Sequence, residues 1–247
     1  MTEQPGQAVP TPAGLLLIDK PEGPTSMDVC RRVRRRLIAG GAPKRVKVGH
    51  GGTLDPLATG LLVVLIGKAT RLCDQVMRSR KVYLTQIDFS CFTITDDREG
   101  ARLEVEVGSP PSAERVAAAC ANFVGVIQQE PPAFSAMKIG GKRAYKLARA
   151  GETPKLAARP VEIHAIQMLE YAWPLLSIEV ACGKGTYIRA LARDLGRALG
   201  TGGSLMSLRR TVAEPFDVRE AVKLDLLPDV LGQADLMSPP GDLRFTS

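Results

Sequence analysis

Residues Gly49 to Leu62 read GHGGTLDPLATGLL, and the apolar run LLVVLI, Leu61 to Ile66, grows directly out of them. The run has the length and composition of a fully buried strand. Asp55 lies upstream, between a glycine-rich turn and Pro56. Glycine leaves the backbone free for tight turns and for close approach to a ligand. Pro56 fixes its own φ and holds Asp55 extended. The segment therefore predicts an acid on a stiff turn, anchored to the core. An isolated Asp-Pro is by itself only a turn signal.

Working outward, Gly14 to Asp19 reads as a short apolar strand ended by Lys20-Pro21. Ser26 is placed to cap a helix running to about Ala39, with Gly40-Gly41 closing it. Val29, Cys30, Val33 and Leu37 form its apolar stripe, so Arg31, Arg34 and Arg35 point away from the core. Lys81 to Phe92 reads as a strand with Val82, Leu84, Gln86 and Asp88 on one side. A polar turn, Thr93 to Gly100, leads to a returning strand from Arg102 to Val107. Pro110-Pro111-Ser112 opens an alanine-rich helix to Asn122. Arg159 to Leu169 and Leu175 to Cys182 are further strands, and Gly183 and Gly185 turn the chain into a helix from about Thr186 to Leu199. Strands and helices interleave without a regular βαβ rhythm, which predicts an α+β fold with a mixed, largely antiparallel sheet.

Gln128 to Pro154 carries prolines, glycines and the bases Lys138, Lys142, Arg143, Lys146 and Arg149. That composition predicts an excursion from the domain, with a short helix near Arg143 to Ala150. The first thirteen residues are rich in Pro, Gly and Gln and read as a disordered lead-in without secretory signal features. No apolar run reaches the ~18 residues of a membrane span. The five cysteines are odd in number and have no close pair, which argues against zinc and disulfide frameworks and for a reducing compartment. With only His50 and His164, no histidine metal cluster is signalled, and Gly67-Lys68-Ala69 is not a phosphate-binding loop.

The net charge is +7, and eight bases fall between Arg31 and Lys47 with no acid among them. They are Arg31, Arg32, Arg34, Arg35, Arg36, Lys44, Arg45 and Lys47. The rest of the chain is close to neutral. A local basic excess is the footprint of a polyanion partner.

Six blocks together carry a resemblance. GLLLIDKPEGPTS (Gly14 to Ser26), GHGGTLDPLATGLL, KVY (Lys81 to Tyr83), QEPPAFSAMKIGGKRAYKLARAGE (Gln129 to Glu152), GKGTYIRALARDLG (Gly183 to Gly196) and SLRRT (Ser207 to Thr211) occur in this order. The chain resembles the TruB family of tRNA pseudouridine synthases over residues 14 to 216. The resemblance implies a pseudouridine synthase-like α+β fold, a mixed sheet with flanking helices, and a thumb-like insertion at 128–154. It implies isomerisation of the T-loop uridine at tRNA position 55, with cytoplasmic location, no cofactor and no metal. The expected partner is the T-arm of tRNA, met by a monomer. A catalytic domain is expected over 14–235, then a tail over 236–247 without the small RNA-binding PUA domain of many members. A non-catalytic tRNA-binding or tRNA-folding protein on the same scaffold is the competing reading.

Residue by residue, the resemblance makes Asp55 the catalytic carboxylate, acting as nucleophile on C1′ or as base at C2′. Arg189 matches the arginine that pairs with it. Taken alone, Arg189 reads as part of a solvated helix face shared with Arg193 and Arg197. Asp97 matches an acid that holds the arginine. Lys20 matches a lysine near the site, as support or as a phosphate contact. Tyr83 matches the tyrosine that stacks on the flipped base, His50 a histidine that wedges into the T-loop, and Tyr187 and Leu208 the uracil pocket. Arg31, Arg34, Arg35, Lys44, Arg45, Lys138, Lys142 and Arg143 are the expected RNA-backbone contacts, with Phe134 packing the thumb. Two departures stand out. Ser90 to Thr95 lacks a glycine and an acid usual in the family, and Glu214 stands where glycine is common.

Overall fold

The structure, a computed structural model, describes residues 11–135, 138–139, 142–143, 156–241 and 243. In chain order its main elements are β1 (Gly14–Lys20), α1 (Ser26–Ala39), β2 (Val48–His50), β3 (Thr59–Ile66), α2 (Cys73–Arg78), β4 (Lys81–Asp88), β5 (Cys91–Thr93) and β6 (Arg102–Glu104). They continue with α3 (Ala113–Asn122), β7 (Gly125–Gln129), β8 (Lys138–Ile139), β9 (Lys142–Arg143), β10 (Arg159–Ala172), β11 (Leu175–Cys182), α4 (Ile188–Leu199), β12 (Ser204–Ala213), β13 (Phe216–Asp217) and β14 (Val222–Lys223). Mixed strands and separate helices make an α+β fold, as the sequence pattern predicts. Two compact units divide the chain. One combines 1–79 with 209–247, and the other is 80–208.

In the first unit β1 lies between β14 and β3, with β12 on the far side of β3. β1 pairs antiparallel with β3 over its whole length, Gly14 opposite Ile66 and Lys20 opposite Gly60. β14 and β12 run parallel to their partners, so this sheet is mixed. From Leu61 to Ile66 every residue is fully buried, which is why the run lacks polar alternation. Leu15, Leu17, Leu61, Val63 and Leu65 pack with Leu72, Val76 and Phe216. Gly60 has φ +95°, and a Cβ there would run into the Arg210 backbone. Only glycine therefore permits the approach of β3 to β12 that follows the Asp55 turn.

Helix α1 has the predicted apolar stripe, but its cap is Thr25 rather than Ser26. Thr25 Oγ1 accepts the Asp28 N–H at 3.1 Å, and Asp28 Oδ2 accepts the Thr25 N–H at 3.1 Å, completing a capping box. Ser26 is buried and engaged elsewhere. The ends of the chain are tied to the sheet where they are described. The Ala13 N–H donates to Gln233 Oε1 at 2.9 Å, and Leu15 and Met237 exchange backbone hydrogen bonds of 2.8 and 2.9 Å.

In the second unit the strand order is β12–β4–β11–β10–β7. β12 supplies Ser204 to Leu208 to this unit and the rest to the first. β4 is antiparallel to β11, with Tyr83 opposite Val180. The predicted strand Lys81 to Phe92 is in fact two. Asp88 Oδ1 accepts the Ser90 N–H at 2.8 Å and the Ser90 hydroxyl at 2.6 Å, and this local turn ends β4. The chain then restarts as β5 against β6, so the returning strand covers Arg102 to Glu104 rather than reaching Val107. Within β4 the deeper positions are Thr85 and Ile87, while Val82, Leu84 and Gln86 are half-buried. Asp88 alone of the predicted face is buried. α3 is capped by Ser112 as the sequence suggests. Strand β10 extends to Ala172, beyond the predicted Leu169. α4 begins at Ile188, with Tyr187 in the N-cap position. Within the basic excursion, β8 and β9 form a small antiparallel pair, so Arg143 is in a strand. The helix expected over 143–150, and most of the 128–154 insertion, lie outside the described residues.

Candidate active site

Asp55 sits half-buried in the irregular loop between β2 and β3. The Ala58 N–H donates to its carbonyl at 3.0 Å, closing the turn that Pro56 starts. The loop on either side is tied to the segment between β1 and α1. The Pro56 carbonyl accepts the Gly23 N–H at 2.9 Å and Lys20 Nζ at 3.2 Å. On the other flank Leu54 is held by the Ser26 side chain. Arg210, almost wholly buried, donates from Nη2 to the Gly52 carbonyl at 3.1 Å and from Nε to the Leu61 carbonyl at 2.7 Å. Its guanidinium thus pins the glycine turn to the strand.

Lys20 is completely buried. Its ammonium donates to the carbonyls of Pro21 and Pro24, each at 2.9 Å, as well as to Pro56. Three acceptors match the three ammonium protons. Burial pushes its pKa down and the charges of Asp55 and Glu22 pull it up, leaving it at about 8. This geometry suits support of the Asp55 loop; a phosphate contact does not fit a side chain with no exposed surface. His50 closes β2 opposite Val64. Its Nδ1 is buried without a hydrogen-bond partner, and burial, then the Arg210 charge, lowers its pKa, favouring the neutral ring.

The basic cluster divides. Arg32 pairs with Asp225 at 3.6 Å and Arg36 with Asp229 at 3.8 Å. Arg31 pairs with Asp28 at 2.8 Å, one turn earlier on α1. Arg34 donates to the Lys44 carbonyl at 2.6 Å. Arg34, Arg35, Lys44, Arg45 and Lys47 are all exposed. The absence of acids within 31–47 thus hides two acids supplied from the other end of the chain.

In the second unit Arg189 and Arg193 sit one turn apart on α4 and are both buried. Arg189 Nη1 donates to Asp97 Oδ2 at 3.3 Å and to the Thr95 carbonyl at 3.1 Å, and Nη2 donates to the Phe134 carbonyl at 3.0 Å. Asp97 also accepts the Thr95 hydroxyl at 2.6 Å and the Glu99 N–H at 3.1 Å. Arg193 meets Asp96 at 2.8 Å, holds Asp194, and donates to the Glu130 carbonyl at 2.8 Å. Asp96 has φ +61°, a conformation that asparagine and aspartate tolerate better than most residues. Burial raises the Asp96 pKa against the opposing pull of Arg193. The solvated face expected from Arg189, Arg193 and Arg197 taken alone is therefore overturned for the first two, because adjacent acids on the 93–100 turn meet them. Arg197 stays exposed.

Tyr187 is fixed by its backbone. Its N–H donates to Gln129 Oε1 at 2.8 Å, and Gln129 Nε2 donates to its carbonyl at 3.1 Å. The Arg159 guanidinium lies 5.3 Å from the Tyr187 ring centroid and donates to the Gly185 carbonyl at 2.7 Å. Tyr83 is half-buried on β4 and Leu208 is buried on β12. Ser26 and Arg210 in the first unit, and Gln129 and Arg193 in the second, hold candidate residues in place without having been predicted to do so from the sequence. All four lie within the ordered motif blocks, which is the one signal the sequence offers for them. Among the described residues no three His, Cys, Asp or Glu side chains converge on a metal position.

Known proteins share this architecture. Residues 36–188 match the N-terminal domain of TruB family pseudouridylate synthases, and residues 189–237 match the tRNA pseudouridylate synthase B C-terminal domain. A tRNA pseudouridine synthase B of Arthrobacter sp. (strain FB24) is 46% identical over 225 residues, which is 89% of this chain and 72% of that protein. The tRNA pseudouridine synthase B of Thermobifida fusca is 46% identical over 222 residues, 87% of this chain and 74% of its own length. Among solved structures, one described as a Cbf5-Nop10-Gar1 complex superposes with a TM-score of 0.65 at 28% identity. That match covers 86% of this chain and 52% of the other, so this chain spans about half the length of the structural relative. The chain belongs to the TruB family of pseudouridylate synthases.

Proposed function

We propose that this protein isomerises the T-loop uridine at position 55 of tRNA to pseudouridine, in the cytoplasm, with the T-arm as its recognition element. The observation that carries the reading is Asp55. It is a half-buried carboxylate on a loop tied down on both flanks, in a chain of this family.

The reaction breaks the N1–C1′ bond, turns the base and joins C5 to C1′; C5 gives up its proton and N1 takes one up, so the composition is unchanged. Asp55 attacks C1′ or takes the C2′ proton; both need an ionised carboxylate beside the ribose. The target base leaves its stack to react. Tyr83 stacks on it, Tyr187 and Leu208 line the uracil pocket, and His50 fills the space left in the loop. A neutral His50 ring suits that wedge better than a cation would. Lys20 supports Asp55 through the Pro56 carbonyl. Arg189, oriented by Asp97, serves the same reaction as its cation. Arg31, Arg34, Arg35, Lys44 and Arg45, with Lys138, Lys142 and Arg143, hold the RNA backbone.

The test is release of tritium from T-arm RNA labelled at uridine C5. Asp55→Asn keeps the shape but is neither nucleophile nor base, so release is abolished while RNA binding persists. Turnover by Asp55→Asn near the wild-type rate would discard the assignment of Asp55, and the absence of release by wild type would return the binding-only reading.

A further inference from the structure

Ser26 is the second residue of the cap-to-helix junction of α1 and is 2% exposed. Its hydroxyl does no capping, because Thr25 does it. Instead it spans one residue of the catalytic loop. Ser26 Oγ accepts the Leu54 N–H at 2.8 Å and donates to the Leu54 carbonyl at 3.0 Å. Leu54 immediately precedes Asp55, and its side chain is itself buried. Both polar groups of its backbone are therefore committed to one side chain 28 residues away in sequence.

We infer that Ser26 is a positioning residue for Asp55: its hydroxyl fixes both flanking peptides of Leu54, and through them the direction in which the Asp55 carboxylate leaves the chain. The Leu54 carbonyl belongs to the peptide that begins Asp55. Rotation of that peptide changes φ of Asp55 and swings its side chain. The opposite flank is already fixed, since the Pro56 ring limits φ and the Pro56 carbonyl is held by Gly23 and Lys20. Ser26 is thus the complement of that anchor. Without it, a buried N–H and a buried C=O go without this partner, and the loop regains freedom only on the side that sets the carboxylate. The hydroxyl suits the task because it is donor and acceptor at once. Alanine supplies neither function.

The inference rests on Asp55 being the catalytic carboxylate, and the experiment separates the two. Full-length Ser26→Ala, Ser26→Cys and Asp55→Asn are compared with wild type. Readouts are single-turnover tritium release at saturating T-arm RNA, RNA affinity, thermal midpoint, and amide hydrogen exchange of the peptide containing Leu54. A displacement near 1 Å at the reacting group costs up to ~100-fold, so Ser26→Ala should be slower by ~10- to 100-fold. Its RNA affinity should stay within about two-fold, because only the reacting geometry changes. Exchange at Leu54 should rise while α1 stays protected. Ser26→Cys, close in volume but a weaker hydrogen-bonding group, should fall between. If folded Ser26→Ala reacts at the wild-type rate while Asp55→Asn is inactive, Ser26 is structural only and the inference is wrong. If Asp55→Asn is active, the parent reading fails instead. Should Ser26→Ala not fold, Ser26→Cys is judged by the same rate criterion, and a wild-type rate there overturns the inference.

Discussion

Arg193 and Asp96 meet at 2.8 Å one helical turn from Arg189 and Asp97, so consecutive acids of one turn engage consecutive inward positions of α4. The Asp96 pair fastens the turn, and the Asp97 pair orients the guanidinium proposed to serve the reaction.

Breaking one partner of a buried pair leaves an uncompensated charge and typically costs ~3–5 kcal/mol. Asp97→Asn should therefore lower both stability and rate. Arg189→Met removes the charge and leaves Asp97 buried with its Thr95 and Glu99 donors. It should be severely slow in tritium release even where the fold survives. Thermal melts and single-turnover rates measured together check this; a wild-type rate for Arg189→Met would remove Arg189 from the reaction.

Tyr83→Ala should cut turnover more than RNA affinity. Base stacking on an aromatic ring is worth ~1–3 kcal/mol, whereas most binding energy comes from phosphate contacts. Equal reductions in affinity and rate would show that Tyr83 acts in general binding.

The basic cluster should show unequal members. Arg35, Lys44, Arg45 and Lys47 are exposed, while Arg32 and Arg36 face Asp225 and Asp229. Replacing exposed members by Gln should flatten the log–log salt dependence of RNA binding by about 0.7 to 0.9 for each phosphate no longer neutralised. Arg32→Gln with Arg36→Gln should change it less. Titration at several salt concentrations decides, and an unchanged slope for the exposed set would place the RNA elsewhere.

Lys20 makes a prediction in the alkaline range. Its pKa falls from 10.5 to about 8 on folding. Below about 8 both states hold the proton, so the desolvation penalty is complete and constant. Between about 8 and 10.5 the unfolded chain binds more protons than the folded one, so this group's contribution to stability rises with pH. Across the whole window the gain is ~3 kcal/mol, at ~1.4 kcal/mol per pKa unit. Wild type minus Lys20→Met, by urea unfolding across this range, isolates the effect from the buried cysteines, whose raised pKa values act in the opposite direction. A flat difference would mean Lys20 is not desolvated as described.

Much of the fold is legible in the sequence because its signals are local. The stripe Val29, Cys30, Val33 and Leu37 follows from helical spacing, and Leu61 to Ile66 can hardly be other than buried. The misreadings come from partners distant in sequence or chemically equivalent. Ser26 and Thr25 are equally competent caps, and what separates them is Leu54, across the β1–α1 connection. Burial of Arg189 and Arg193 depends on two acids over ninety residues upstream. The break in β4 follows from Asp88 folding back on Ser90, a local bond that competes with continued pairing. For Asp55 and Tyr83, ordered motif blocks are more informative than any property of the residues themselves.

The first unit is discontinuous, made of 1–79 and 209–247, while the second is one unbroken segment, 80–208. During synthesis β1 and β3 therefore emerge long before β12 and β14, the strands that flank them. They must wait, with the β1 edge open, the β3 edge covered by β2 only from Val64 to Ile66, and the apolar Leu15, Leu17, Leu61 and Val63 short of their Phe216 partner, while the segment behind them is translated. The late strands then act as a clasp. The loop carrying Asp55 acquires its Arg210 anchor only when that clasp closes, so a nascent chain interrupted before residue 210 holds the acid by its upstream ties alone, with the glycine turn not yet pinned to the strand.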